Sequence, residues 1–194
     1  DDGTTALFFA AQEGYPEVVK ILLNSGADPN LCDIHGAGPL LVAVQEGYVS
    51  IVKMLIDNDD FDPDSGEINH TDVNAAREDG ITPVFTAAWL GRTDVLKILL
   101  KNGALANPVK SHDFDDTPLC GAINRVHPEA VKALIDAGAN VNTPPRASDG
   151  YTPFTLAVSK CDTDDSDDAR DILQLLIEAN AKPEGGEEVV EESE

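Results

Sequence analysis

The residues best suited to chemistry form one acidic run, Cys161-Asp162-Thr163-Asp164-Asp165-Ser166-Asp167-Asp168. Closely spaced carboxylates of this kind attract calcium. An EF-hand loop, however, needs a Gly at its sharp turn and a Glu at its twelfth position, and the run has neither. Weak cation binding stands against the plainer reading of a solvated acidic loop. A helix is expected to follow the run, so Asp167 and Asp168 can serve its N-terminus through the helix dipole. The four histidines, His35, His70, His112 and His127, are scattered and make no zinc pattern. Cys32, Cys120 and Cys161 are odd in number, none at metal-ligand spacing from another, and read as reduced thiols. No Gly-x-Ser-x-Gly elbow, P-loop or dinucleotide fingerprint occurs. The expectation is a protein that is not an enzyme and has no cofactor or metal site.

Charge bounds the partners. The chain has 194 residues, 42% of them hydrophobic, with 36 acidic against 13 basic side chains and a formal net charge of −23. Such a field repels phosphate backbones and anionic lipid, which argues against nucleic acid and membrane surfaces. It suits a basic protein partner, or serves solubility alone. No stretch approaches the ~18 consecutive apolar residues of a membrane span. With reduced cysteines and no visible signal peptide, an intracellular, cytoplasmic protein is expected, monomeric as an isolated domain. Residues 184–194 form an acidic tail with too little apolar content to fold, and disorder is expected there.

Stepping along the chain reveals a repeating phrase. A Gly precedes Thr-Pro or its variant, an apolar residue, a small-residue pair and a second Gly. An apolar helix follows, ending in Gly-Ala-Asx-x-Asn. Gly3, Thr5, Ala10, Ala11, Gly14, Val18, Leu22, Gly26, Ala27 and Asn30 make the first copy. Gly80, Thr82, Pro83, Ala87, Ala88, Gly91, Val95, Leu99, Gly103, Ala104 and Asn107 make the third. Thr82, Thr117 and Thr152 are 35 residues apart, and Thr5 precedes Thr82 by two 33-residue periods plus 11 residues. Those 11 fall near residues 60–71, in a loop, where closure entropy rises slowly with length.

The phrase has a physical grammar. The threonines are helix N-caps, and proline after three of them takes the first helical position, where its missing N–H costs nothing. Paired alanines allow close helix approach. Gly14, Gly47 and Gly91 end a short first helix in a left-handed turn. Gly26, Gly103 and Gly138 cap the second helix. Asp-Pro-Asn and Asn-Val-Asn then lead into an extended hairpin.

Period and phrase together resemble the ankyrin repeat over residues 1–183. The resemblance implies an all-α repeat fold, an ankyrin solenoid of about five helix-turn-helix units with β-hairpin loops. The units fall at about 1–32, 33–74, 75–107, 108–142 and 143–183, followed by the tail at 184–194. The chain departs from the family phrase in several places. The family's His after Thr-Pro-Leu is Phe8, Leu41, Phe85, Cys120 or Thr155 here, so its side-chain bond must be lost or replaced. Gly38 replaces a capping Thr, and the second unit lacks the Gly-Ala cap around Asp59 and Asp60. Val126 stands where a helix-ending Gly belongs. About seven residues, Asp162 to Asp168, are inserted between the helices of the fifth unit. Leu7, Phe8 and Phe9 are expected to leave apolar surface open at the N-terminal end, since terminal repeats normally carry a polar cap.

In this family partners usually meet the concave side, formed by hairpin tips and first helices. The corresponding helix positions here are Gln12 and Glu13, Gln45 and Glu46, Trp89 and Leu90, Asn124 and Arg125, Ser159 and Lys160. The hairpin positions are Ile34, Ile81, Phe114 and Tyr151. Trp89 and Leu90 are expected to anchor a partner protein, flanked by Ile81 and Phe114. Tyr151, Arg125, Gln45 and Glu46 complete the candidate set. The plainer alternative is that Trp89 packs on neighbouring repeats and covers the core, and that Arg125 is merely solvated. Asn30, Asn74, Asn107 and Asn142 occupy the site that asparaginyl hydroxylases modify in some ankyrin proteins. The preferred reading of these residues is structural, a hydrogen-bonded loop Asn. Two functions follow: a scaffold, adaptor or inhibitor that grips a protein in its groove, or a structural spacer within a longer ankyrin array.

Overall fold

A computed structural model describes residues 3–58, 70–108, 116–144, 146, 148–164 and 166–183. Ten helices occur among them, in five antiparallel pairs: α1 (Ala6–Gln12) with α2 (Pro16–Asn24), α3 (Pro39–Glu46) with α4 (Val49–Ile56), α5 (Pro83–Trp89) with α6 (Thr93–Lys101), α7 (Pro118–Asn124) with α8 (Pro128–Asp136), and α9 (Pro153–Thr163) with α10 (Asp167–Glu178). The first helices stack in one row, α1-α3-α5-α7-α9, and the second helices in another, α2-α4-α6-α8-α10. This is an all-α repeat solenoid. Phe114, most of the insertion at residues 60–71 and the acidic tail lie outside the described residues.

Helices of seven to twelve residues are too short to persist alone, so packing must hold them. The core is one continuous cluster running between the rows, from Leu7, Val19 and Leu23 through Ile51, Leu55, Leu96, Leu99, Ile123 and Leu134 to Ile172 and Leu176. The paired alanines Ala11, Ala87 and Ala88 are fully buried where the rows meet.

The capping grammar is realised in detail. Thr5, Thr82, Thr117 and Thr152 each sit in extended backbone and accept a hydrogen bond from the N–H three residues on, at Phe8, Phe85, Cys120 and Thr155. In the fifth unit Thr155 returns the bond, its hydroxyl accepting from Thr152 N–H at 2.8 Å, so a reciprocal capping box replaces the family histidine. Gly38 caps α3 without a side-chain bond. Val126 adopts the left-handed backbone that a glycine takes in the neighbouring units, with φ of 56°.

The departure expected in the second unit at Asp59 and Asp60 lies outside the described residues. The N–H groups of Ala27, Ala104, Ala139 and Ala181 each donate to the carbonyl five residues back, at Leu22, Leu99, Leu134 and Leu176. The corresponding carbonyl of the second unit, on Leu55, accepts the buried Thr71 hydroxyl at 2.6 Å. Thr71 thereby ties the chain after residues 59–69 to the end of α4.

Two expectations change. Leu7 and Phe8 are not open at the N-terminal end: they are buried, at 1% and 6% exposure, because the helix turns them toward α2 and α3. Phe9 alone of the three is exposed, at 50%. In the fifth unit the extra residues do not form one long loop. They lengthen α9 to Thr163 and supply the first turn of α10, where Ser166 caps through Ala169 N–H and Asp167 and Asp168 meet the positive end of the dipole.

Candidate functional site

The repeats are joined along one edge by a row of asparagines. Asn30 Nδ2 donates to the His70 carbonyl at 2.9 Å while its Oδ1 accepts from Asp72 N–H at 2.9 Å. Asn74 clasps Gly103 and Leu105 in the same way, at 3.3 and 2.8 Å. Asn107 clasps Gly138 and Asn140, at 3.0 and 2.8 Å. Asn142 clasps Asn180 and Lys182, at 3.3 and 2.8 Å. An amide suits the task because it offers a donor and an acceptor side by side. All four joints are alike, so this row distinguishes no one place as a site.

A second row joins the first-helix ends. The residue after each helix-ending glycine reaches back over the glycine of the preceding unit. A Cβ on Gly14 would meet the Tyr48 ring at 2.6 Å, one on Gly47 the Arg92 guanidinium at 3.0 Å, and one on Gly91 the His127 ring at 2.8 Å. Arg92 Nη2 also donates to the Gln45 carbonyl at 3.3 Å, and the His127 ring hydrogen-bonds the Trp89 backbone. The sequence carried a signal here that its reading missed: Tyr48, Arg92 and His127 are all flat groups, each following the phrase's second Gly or its substitute Val126.

Trp89 sits at the end of α5, half-buried, with its ring 5.9 Å from that of Phe85 and nearly parallel to it. The Arg125 guanidinium carbon lies 5.3 Å from the indole centroid, a cation–π contact from the next unit. Gly121 of α7 packs against both rings, and a Cβ there would lie at ordinary contact distance, 3.4 Å from Phe85 and 3.5 Å from Trp89. Leu90 is exposed beside Trp89, at 37%. Burial lowers the pKa of His127 and the nearby Arg125 charge lowers it further, against the hydrogen bond to Trp89. The structure thus brings together Trp89, Leu90, Arg125 and His127.

The other candidates lie apart from this cluster. Gln45 and Glu46 occupy the same helix end one unit earlier, both exposed, with Gln45 Nε2 donating to Glu46 Oε1 at 3.5 Å. Ile81 is half-buried just before the α5 N-cap. A seven-residue helix, about 10 Å long, separates it from Trp89. Tyr151 holds the same place before α9 and is 37% exposed. Backbone bonds close the tips at these places: Arg77 N–H to Ile81 O and Arg146 N–H to Tyr151 O, at 3.0 Å each.

Sequence reading also missed Arg146. Its side chain is 8% exposed and pairs with Asp116 of the fourth unit and Asp149 of its own hairpin. Burial alone would lower its pKa, but the two carboxylates more than offset this and raise it. The fifth hairpin spans one residue more, from Arg146 to Tyr151, than the Arg77–Ile81 hairpin. That offset hid the correspondence.

Burial raises the pKa of Cys120, and burial with Asp33 and Asp28 raises that of Cys32, so both thiols are held in the un-ionised, less nucleophilic form. Among the described residues no group of three or more His, Cys, Asp or Glu side chains is placed to hold a metal ion. No described helix is long and apolar enough to cross a membrane.

Five stacked helix pairs with capped first helices and Asn-clasped joints define a helical repeat solenoid. The family model described as ankyrin repeats (3 copies) matches residues 1–67, and the model described as ankyrin repeat matches residues 79–112 and 114–144. The chain belongs to the ankyrin-repeat family. It is similar to the human protein Neurogenic locus notch homolog protein 4, 33% identical over 59% of this chain and 6% of that protein. It is similar also to human Transient receptor potential cation channel subfamily A member 1, 32% identical over 71% of this chain and 11% of that protein. Alpha-latrotoxin-Lg1a of Latrodectus geometricus is 35% identical over 46% of this chain and 6% of that toxin. The chain thus spans about a tenth or less of the length of these relatives. Ankyrin repeats are in general protein-interaction modules without catalytic machinery.

Proposed function

We propose that this array binds a partner protein in the groove along its first helices, with Trp89 and Leu90 as anchors and Arg125 orienting the ring. The observation that carries this reading is the break in repetition at Trp89. The equivalent places in the first, second and fourth units hold polar Gln12, Gln45 and Asn124, whereas here an indole and an exposed leucine adjoin a guanidinium. Aromatic and arginine side chains of this kind dominate interface energetics. Gln45, Glu46, Ile81 and Tyr151 extend the contact along the groove, and the repeat phrase adds Phe114 to this proposed set. The acidic surface steers a basic or mixed segment toward the anchors, so association slows as salt rises.

The test is a pull-down from cell extract with wild type, Trp89→Ala and Leu90→Ala, after circular dichroism shows the three equally folded. Lys97→Ala, on the exposed face of α6, is the control. A partner held by wild type and the control but lost by Trp89→Ala supports the groove. Equal capture by all moves the site elsewhere. The spacer reading keeps one observation in its favour, the apolar surface left open on the first unit.

A further inference from the structure

In the first four units, every charged side chain of the first helices and their C-caps stands at one place in the repeat, the residue before the helix-ending glycine or its substitute. That place holds Glu13, Glu46, Leu90 and Arg125, and Lys160 holds it in α9. Leu90, Arg125 and Lys160 are 35 residues apart, as are the N-caps Thr82, Thr117 and Thr152 before them. Glu13, Glu46, Leu90 and Arg125 are exposed and Lys160 is half-buried. The row therefore changes sign along the array: two carboxylates, one leucine, two cations. The residues just before them, Gln12, Gln45, Trp89, Asn124 and Ser159, are uncharged throughout.

Other charges near these elements have separate engagements. Arg92 donates to the Gln45 carbonyl. At the hairpin tips Arg77 pairs with Asp79, and Arg146 with Asp116 and Asp149. Asp162 and Asp164 belong to the extension of α9 beyond Lys160.

Adjacent first helices pack side by side, about 10 Å apart. The Debye length at physiological salt is about 8 Å. A charge laid on one rung is thus governed by that rung more than by the formal −23 of the chain. The overall field guides approach, and the row decides which end of a segment lies where.

We infer that the groove takes a segment polarised in charge, with cations over Glu13 and Glu46, an apolar centre on Trp89 and Leu90, and carboxylates over Arg125 and Lys160. This rests on the groove reading of Trp89 and goes beyond it by fixing the chemistry and direction of the occupant. An extended segment rises about 3.3 Å per residue, so about thirteen residues cover the five rungs. A guanidinium held beside an indole keeps its edge N–H groups for a carboxylate, so the Arg125–Trp89 contact is compatible with an acidic ligand. A uniformly basic segment, which net charge alone would favour, meets like charge at Arg125 and Lys160.

The probes are three synthetic peptides of about thirteen residues with the same central Leu-Phe-Leu. One carries lysines at one end and glutamates at the other, one lysines at both ends, and one glutamates at both. Calorimetry at physiological salt measures their affinity for the full chain. The polarised peptide is expected to bind about tenfold more tightly than either uniform one, because two rungs turn from repulsion to attraction. A nitroxide on its lysine end should broaden amides of α1 and α3 and spare those of α9. Glu13→Lys with Glu46→Lys leaves Trp89 and Arg125 untouched, and in that variant, once circular dichroism shows it folded, the all-glutamate peptide becomes the tightest. An all-lysine peptide that binds wild type as tightly as the polarised one overturns the inference. If Trp89→Ala weakens all three peptides while wild type shows no preference among them, the groove stands and the polarity alone fails. If no peptide binds wild type, the groove reading fails and the inference with it.

Discussion

The asparagine-clasped edge and the Trp89 end of the helices are two sides of one array, built on opposite principles. Along the edge, Asn30, Asn74, Asn107 and Asn142 make the same two bonds to the same two backbone groups of the next unit. At the helix ends, the corresponding places hold Gln45, Trp89 and Asn124, followed by Glu46, Leu90 and Arg125. Backbone geometry repeats, so whatever serves it repeats as well. Side chains released from that duty are free to differ, and a surface that differs from unit to unit can tell partners apart. The fold alone supports many functions, so the non-repeating surface carries the functional argument.

The largest effect is expected at the buried ion cluster where the fifth hairpin meets the fourth unit. Arg146→Ala leaves Asp116 and Asp149 facing each other, with Asp116 only 12% exposed. Removing one partner of a buried ion cluster costs about 3 kcal/mol. Urea unfolding followed by circular dichroism checks this, and a loss under about 1 kcal/mol would show that the cluster is already solvated. Asn107→Ala breaks the uniform row at one place, losing two bonds for about 2 kcal/mol. Exchange should accelerate at α7 to α10 more than at α1 to α4. Uniform acceleration would mean the clasp does not act joint by joint.

Thr71→Val tests the tie between the chain after residues 59–69 and the end of α4. The buried hydroxyl that meets Leu55 disappears at nearly constant volume, removing one buried hydrogen bond, for about 1 kcal/mol. Amide exchange at the end of α4 reads the change, and unaltered protection there would show that Thr71 is a bystander.

Much of this architecture was legible from the chain. Thr82-Pro83 and Gly91 announce a cap and a left-handed stop because only a few residue types satisfy those backbone demands. Other features depend on distant partners, and local patterning cannot carry them. Thr71 acts on a carbonyl 16 residues back across the insertion. Arg146 is matched to Asp116 only once the longer hairpin sets its register. The Trp89–Arg125 contact joins residues 36 positions apart, and the patterning marked both without pairing them. Leu7 and Phe8 look as apolar as Phe9, and only helix orientation decides that they face inward.

The smallest effect concerns pH. Burial lowers the His127 pKa below its ordinary 6.5, so the unfolded chain takes up a proton before the folded one does. Stability contributed by the neutral ring is present above about 6.5 and falls as pH drops below it. His127→Gln should flatten that part of the stability profile, and an unchanged profile would assign the slope to other groups.

The groove claim is tested most directly through Trp89 itself, the only tryptophan in the chain. Its fluorescence is followed while the captured partner, purified and stripped of tryptophan, is added, and affinity is measured in parallel for Trp89→Ala. The account predicts a shift in indole emission and an affinity about 30-fold weaker in the variant, the mark of an anchor worth about 2 kcal/mol. Unmoved emission with equal affinity for the two proteins would contradict it and leave Trp89 as a cover for the core.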